Sequence, residues 1–193
     1  MNPAIAAALI VAAYLLGTFP SAILVARAAG VDITSVGSGN PGAANITRNL
    51  GWKKGVWVFV LDGMKGLLAS AVALGLDGRQ LGYAMGAAAI IGHCYPVTRR
   101  FRGGKGVATG GGVFAVLTPV LFPVLVVTWI IVSRVTKKAA LASIVTVIGL
   151  PVGVALSGRE RWEIPAACVL CVLIVIRHTS KIRRMLSRSE HSI

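Results

Sequence analysis

The chain has 193 residues, 55% of them apolar and only 13% charged, with a formal net charge of +14. A soluble domain carries about 25% charged residues; here the few charges fall in clusters between long runs that hold almost none, which excludes an ordinary soluble domain. The basic excess lies beside those apolar runs without interleaved aromatics, so it reads as membrane orientation and headgroup contact, and no nucleic-acid partner is expected.

About 20 apolar residues cross the hydrocarbon layer as a helix. Such runs occupy 3–26, 55–76, 80–97, 107–132, 139–156 and 164–176. The first has no Lys or Arg before it and is longer than a signal-peptide core, so it is expected to be a retained helix.

After it comes Val36–Gly51, which opens Gly37-Ser-Gly-Asn-Pro-Gly42, a G-x-G-x-x-G spacing, with Asp62 twenty residues beyond. A dinucleotide site needs a strand before the glycines and a βαβ unit around them. These glycines instead follow an apolar helix and a short polar link, and Asp62 falls inside the next run. The P-loop pattern fails too, because Ala43-Ala44 follows Gly42. What remains is a small-residue loop, Ser38, Gly39, Asn40 and Gly42, leading into Asn45 and Arg48 at i, i+3 on one helix face. Bare amides beside a guanidinium suit an anion, phosphate above all. The plainer alternative is a tight turn followed by an interfacial arginine.

Within the second run, Asp62 and Lys65 are also i, i+3. Each costs about 2.5–3.5 kcal/mol at the bilayer centre, so they are expected to pair inside the bundle as a structural device. The third run ends in Gly92-His93-Cys94-Tyr95-Pro96, followed by Phe101-Arg102-Gly103-Gly104-Lys105-Gly106-Val107-Ala108-Thr109. Gly103, Gly104 and Gly106 around Lys105, immediately before a helix, form a second anion cradle reaching Thr109. Arg99, Arg100 and Arg102 read as headgroup anchors.

The run 107–132 is either one span or two short helices split near Thr118–Pro123, where two prolines interrupt it. Charge decides. With a break, Arg27, Arg48, Lys53, Lys54, Arg99, Arg100, Arg102, Lys105, Arg134, Lys137, Lys138, Arg177, Lys181, Arg183, Arg184 and Arg188 share one side against Arg79, Arg159 and Arg161; without it the split is 10 against 9. Positive residues favour the cytoplasm. The expectation is therefore an all-α integral membrane protein of seven transmembrane helices. Its N-terminus lies outside, its C-terminus in the cytoplasm and its active site at the cytoplasmic face. Residues 1–193 form a single domain with cytoplasmic segments 31–54, 92–109 and 177–193. The last holds Arg177-His178-Thr179-Ser180-Lys181, where His178 is either a ligand contact or a solvated end residue. Cys94, Cys168 and Cys171 read as free thiols. The three histidines and six acids nowhere converge at metal-ligand spacing, so neither a metal nor a cofactor is expected.

Taken in order, Gly37–Asn45, Leu61-Asp62…Lys65-Gly66, Gly92-His93…Gly103–Thr109, Ala142-Ser143-Ile144 and Arg177-His178…Glu190 resemble the motifs of the PlsY family, bacterial acyl-phosphate:glycerol-3-phosphate acyltransferases. The resemblance covers almost the whole chain. It implies a multi-pass enzyme of the bacterial inner membrane that acts in phospholipid synthesis. The fatty acyl group would pass from acyl phosphate, supplied by a PlsX-type enzyme, to the 1-hydroxyl of glycerol 3-phosphate, giving lysophosphatidic acid and inorganic phosphate. On this resemblance Ser38, Arg48, Lys105, Ser143 and His178 line the polar site. Gly39, Asn40, Gly42, Asn45, Gly103, Gly104, Gly106 and Thr109 hold substrate phosphates. It also implies that the substrate's own phosphate serves as base. The H-x-x-x-x-D pattern of acyl-CoA-type enzymes is absent, the fifth residue after His93 being Thr98 and after His178 being Arg183. The chain departs from the family at Lys181, where Asn is usual, at Arg188 in place of Gly and at Ala140 in place of Ser, and Lys181 is left out of the site. The rival reading is a transporter of a phosphate-bearing anion, which would need a polar path across the whole bilayer.

Overall fold

The computed structural model describes residues 1–179. Lys181, Arg183, Arg184, Arg188 and Glu190 lie outside the described residues. Every regular element among the described residues is helical, and the chain divides into two compact units, Met1–Pro119 and Val120–Ile193.

The first unit holds α1 (Pro3–Gly17), α2 (Ser21–Arg27), α3 (Ala43–Leu50), α4 (Trp52–Cys94), a 3-10 turn (Val97–Arg99) and α5 (Val107–Leu117). Asn2 caps α1 by accepting from the Ala4 amide at 2.8 Å, with Pro3 in the first turn. The first apolar run is not one helix: it breaks between Gly17 and Ser21. Pro20 has no N–H to give to Leu16 O, and the Phe19 carbonyl, outside the helical ladder, accepts from the Ser21 amide at 3.1 Å.

Helix α4 is 43 residues long but carries non-helical backbone at Asp77 and Gly78, the latter at φ 77°, which glycine tolerates freely. Ser70 Oγ donates to Gly82 O at 3.2 Å, and Lys65 Nζ lies 3.5 Å from His93 Nδ1. On a straight helix those last two residues would stand about 42 Å apart. The element is therefore a helical hairpin with limbs 52–76 and 79–94, matching the two runs expected there.

Close packing in this unit rests on glycine, as membrane helices require. A Cβ on Gly17 would overlap Ala89 O, one on Gly92 would overlap Tyr14 O, and one on Gly66 would overlap Thr109 O. Ala13, Ala69, Ala73, Leu81, Met85, Ala88 and Ala89 form the interior between α1 and the hairpin. Val56, Trp57, Phe59 and Val60 are exposed instead, as suits a surface facing lipid. Gly112→Ala tests this packing: the new methyl would overlap Gly63 O. The substitution should cost about 1–3 kcal/mol, read as a lower melting temperature in detergent.

The second unit contains α6 (Leu121–Thr136), α7 (Ala139–Leu156) and α8 (Glu163–Ile176). The run 107–132 is thus broken, α5 ending at Leu117 and α6 opening at Leu121 with Pro123 in its first turn. Lys137, at φ 54°, turns the chain from α6 into α7. A Cβ on Gly153 of α7 would crowd the Leu121 side chain, and Cys171 Sγ donates to Val147 O at 3.0 Å. By length and composition Pro3–Arg27, Trp52–Arg99 and Ala139–Leu156 can cross a membrane; Val107–Leu117, Leu121–Thr136 and Glu163–Ile176 are shorter apolar helices.

Candidate active site

The first glycine segment is a loop braced from within. Thr34 donates its hydroxyl (2.7 Å) and amide (2.9 Å) to Asp32 Oδ1, and these bonds hold the Asp32 carboxyl below the usual carboxylate range. Gly37 and Gly39 have φ of 61° and 65°. A Cβ at Gly37 would also press on the Asn45 and Asn49 amides. Asn45 is 1% exposed. Its Oδ1 accepts from the Ser38 amide (3.0 Å) and Asn49 Nδ2 (3.1 Å), while its Nδ2 donates to Ile33 O (3.3 Å) and Val36 O (3.1 Å).

An amide has two donors and two acceptor sites; three of those of Asn45 meet the loop and one meets Asn49 of α3, so the side chain braces the loop from its interior. Ser38 and Arg48 are exposed, and Gly39, Asn40 and Gly42 are half-buried; Arg48 therefore does not share the buried surroundings of Asn45, one turn before it. Asn45→Ala would orphan the Ile33 and Val36 carbonyls at about 1–3 kcal/mol for each group left buried. Faster proteolytic cleavage within 31–42 is the expected result, with the helical circular dichroism retained.

In the second segment Gly103, Gly104 and Gly106 are buried, Lys105 is half-buried and Thr109 is fully buried. The Thr109 hydroxyl makes no hydrogen bond among the described residues. The Gly104 amide donates to His93 O at 3.0 Å, so it too is committed inside the protein. A Cβ at Gly104 would overlap the His93 ring at Nε2, and one at Gly103 would overlap His93 O. These two glycines are thus required by close approach to His93. Gly106, at φ 81°, starts α5, whose first backbone bond is Gly110 N to Gly106 O at 2.7 Å. The amides of Val107, Ala108 and Thr109 precede that bond and form the positive end of the helix.

Both segments pack along the first two thirds of limb 52–76, the first near its start and the second near its middle. Helix α3 packs where Gly55 meets Thr47, and the first turn of α5 packs where Gly63 and Gly66 meet Ala108 O and Thr109 O. Those contacts are eight to eleven residues apart, roughly 12–16 Å along the axis. Beneath lies a buried polar cluster. Lys65 Nζ donates to Asp62 Oδ1 at 2.6 Å and to Phe19 O at 2.7 Å, the carbonyl at the break before α2 that also accepts from the Ser21 amide. His93 Nδ1 completes it, 3.5 Å from Lys65 Nζ and 3.6 Å from Asp62 Oδ1. The expected Asp62–Lys65 pair is present, and it has a third member that the motif reading did not connect to it. An open cleft of about 570 Å3, lined chiefly by Leu15, Leu16, Phe19, Pro20 and Ile23 with Arg27 and Arg99, adjoins this cluster at Phe19.

Ser143 and His178 belong to the second unit. Ser143 Oγ accepts from Trp129 Nε1 at 3.1 Å and donates to Ala139 O at 2.9 Å, which fixes its orientation. His178 is 2% exposed, and its Nδ1 donates to Ile174 O at 2.8 Å. That bond places the ring proton on Nδ1 and fixes the plane of the imidazole.

Among the described residues the first unit thus brings a braced glycine loop and the exposed Arg48 together with Lys105 beside the N-terminal end of α5. The sequence model of the glycerol-3-phosphate acyltransferase family matches residues 7–188, and the chain belongs to that family. It is 38% identical over 184 residues to the glycerol-3-phosphate acyltransferase of Geotalea daltonii, covering 95% of each chain. It is 41% identical over 188 residues to that of Shewanella sediminis, covering 96% of this chain and 92% of the relative. Crystal structures of PlsY (YgiH), an integral membrane glycerol 3-phosphate acyltransferase, superpose closely. The glycerol 3-phosphate form gives a TM-score of 0.90 at 37% identity over 97% of this chain and 95% of that one. The lysophosphatidic acid form gives 0.89 at 36% identity over 94% and 92%. The chain is an acyltransferase of the membrane, as these relatives define the family.

Proposed function

We propose that the protein transfers a fatty acyl group from acyl phosphate to the 1-hydroxyl of glycerol 3-phosphate, releasing lysophosphatidic acid and inorganic phosphate. The observation that carries this reading is the near-complete match to PlsY in its glycerol 3-phosphate form. The second PlsY form, with lysophosphatidic acid, supports the product. The 1-oxygen of glycerol 3-phosphate attacks the acyl carbonyl carbon, its proton passes to a phosphate oxygen, and the bond from carbonyl carbon to the donor's phosphate oxygen breaks. The reaction balances without a cofactor.

In this proposal Lys105, the open amides at the start of α5 and Arg48 offset the charge of bound and departing phosphate, with Ser38, Asn40, Gly39 and Gly42 around the first loop. Asn45, Gly103 and Gly104 shape the loops. Ser143 and His178 carry the polar roles that the family resemblance implies for the second unit. The apolar cleft ending at Arg27 and Arg99 has the composition to take a fatty chain under an anionic head. Seven spans, with the motif segments on the cytoplasmic side of a bacterial inner membrane and a PlsX-type enzyme supplying the donor, complete the reading.

The test is turnover by purified protein given palmitoyl phosphate with and without glycerol 3-phosphate. Phosphate and lysophosphatidic acid should appear together, only with both substrates, and not from palmitoyl-CoA. Phosphate-driven flux in proteoliposomes with no acyl transfer would instead favour the transporter.

A further inference from the structure

We propose that His93 is a positioning residue for the Gly103–Lys105 loop, held in place by the buried Asp62–Lys65 pair; the proposal rests on the acyltransferase reading above. Three ionisable side chains, 3%, 3% and 5% exposed, are gathered inside an apolar helical unit. Taking a charge pair out of water costs several kcal/mol per ion, and apolar residues of the same volume often serve stability as well or better. A packing role alone therefore gives little reason for the cluster to be polar. Its location gives one.

Lys65 spends one donor on Asp62 and one on Phe19 O, and its third side faces His93 Nδ1. The imidazole is thereby gripped by one edge. Its opposite edge, Nε2, lies against Gly104, where no side chain beyond hydrogen fits. The backbone of the same residue grips the loop again, His93 O accepting from the Gly104 amide at 3.0 Å. One residue thus meets the loop through ring and carbonyl together. Lys105 follows directly, and the α5 N-terminus begins one residue later. A displacement of His93 would be passed to both anion-binding elements at once.

The prediction separates positioning from stability. His93→Leu keeps most of the volume and removes the polar edges. It should raise the KM for glycerol 3-phosphate about tenfold while kcat falls less than about threefold, a loss of ground-state binding. His93→Gln, which retains an amide near the Nε2 position, should recover most of that KM. The paired change Asp62→Leu with Lys65→Met removes the brace without leaving a lone charge, so it should fold normally and still raise the KM. Melting temperatures in detergent, with and without inorganic phosphate, are measured alongside. Wild type should be stabilised by phosphate and His93→Leu should lose that shift. Unchanged KM and unchanged phosphate stabilisation in folded His93→Leu would overturn the proposal, as would equal damage from Gln and Leu. Wild-type protein that makes no lysophosphatidic acid yet is stabilised by phosphate would sink the acyltransferase reading alone. The phosphate shift of the variants would then decide the role of His93, and wild type unmoved by phosphate would overturn that role too.

Discussion

Lys105→Ala is expected to lower lysophosphatidic acid formation about a hundred- to a thousandfold while leaving the protein folded. A preorganised donor at a developing charge contributes on that scale when removed, and Lys105 is the one basic side chain directly flanked by the buried glycines at the start of α5. Its half-buried position makes a large stability loss unnecessary, and substitutions outside the core usually stay within about 0.5 kcal/mol. Lys105→Arg should restore little, because the planar fork is larger and differently aimed than an ammonium. Turnover with saturating palmitoyl phosphate, read beside the melting temperature, checks both. Full activity in Lys105→Ala would remove the second glycine segment from the site.

Asp62→Ala is the second large effect, and it falls on stability. The carboxylate is 2.6 Å from Lys65 Nζ, and both are 3% exposed. Removing one partner of a buried pair costs about 3–5 kcal/mol, because the other charge is left uncompensated. Against total stabilities of about 5–15 kcal/mol, such a protein should express poorly and melt early in detergent. Adding Lys65→Met should return most of the lost stability. If the single variant melts like wild type, Lys65 is being satisfied by Phe19 O and His93 alone.

Much of this architecture was legible in the residues. The break after Leu117 followed from two prolines and the distribution of basic residues, and the 52–94 hairpin from two runs around Asp77 and Gly78. Asp62 and Lys65 announced themselves as a pair because their spacing is local. The break at Pro20 went unread: no charged residue marks it, and a lone proline in an apolar run is compatible with a continuous membrane helix. His93 was seen beside the second glycine segment, but its link to Lys65 spans 28 residues and exists only once the hairpin closes. Asn45 shows a related ambiguity. Beside glycines an amide looks equally suited to a ligand or to its own loop, and only the positions of Ile33 O, Val36 O and the Ser38 amide distinguish the two. Gly103 and Gly104 carry the same ambiguity, since bare amides for an anion and room for His93 ask for the same residue.

The spacing of Asp62 and Lys65 also bears on how the chain is made. Both lie on limb 52–76, so their contact needs nothing that has yet to leave the ribosome, whereas His93 is translated 28 residues after Lys65. A carboxylate and an ammonium entering the bilayer separately would each bear the cost of a lone ion there. Paired one turn apart, they enter as a compact dipole, and the limb can be inserted before its eventual neighbour exists. The later arrival of limb 79–94 then converts a device for insertion into the support beneath a loop.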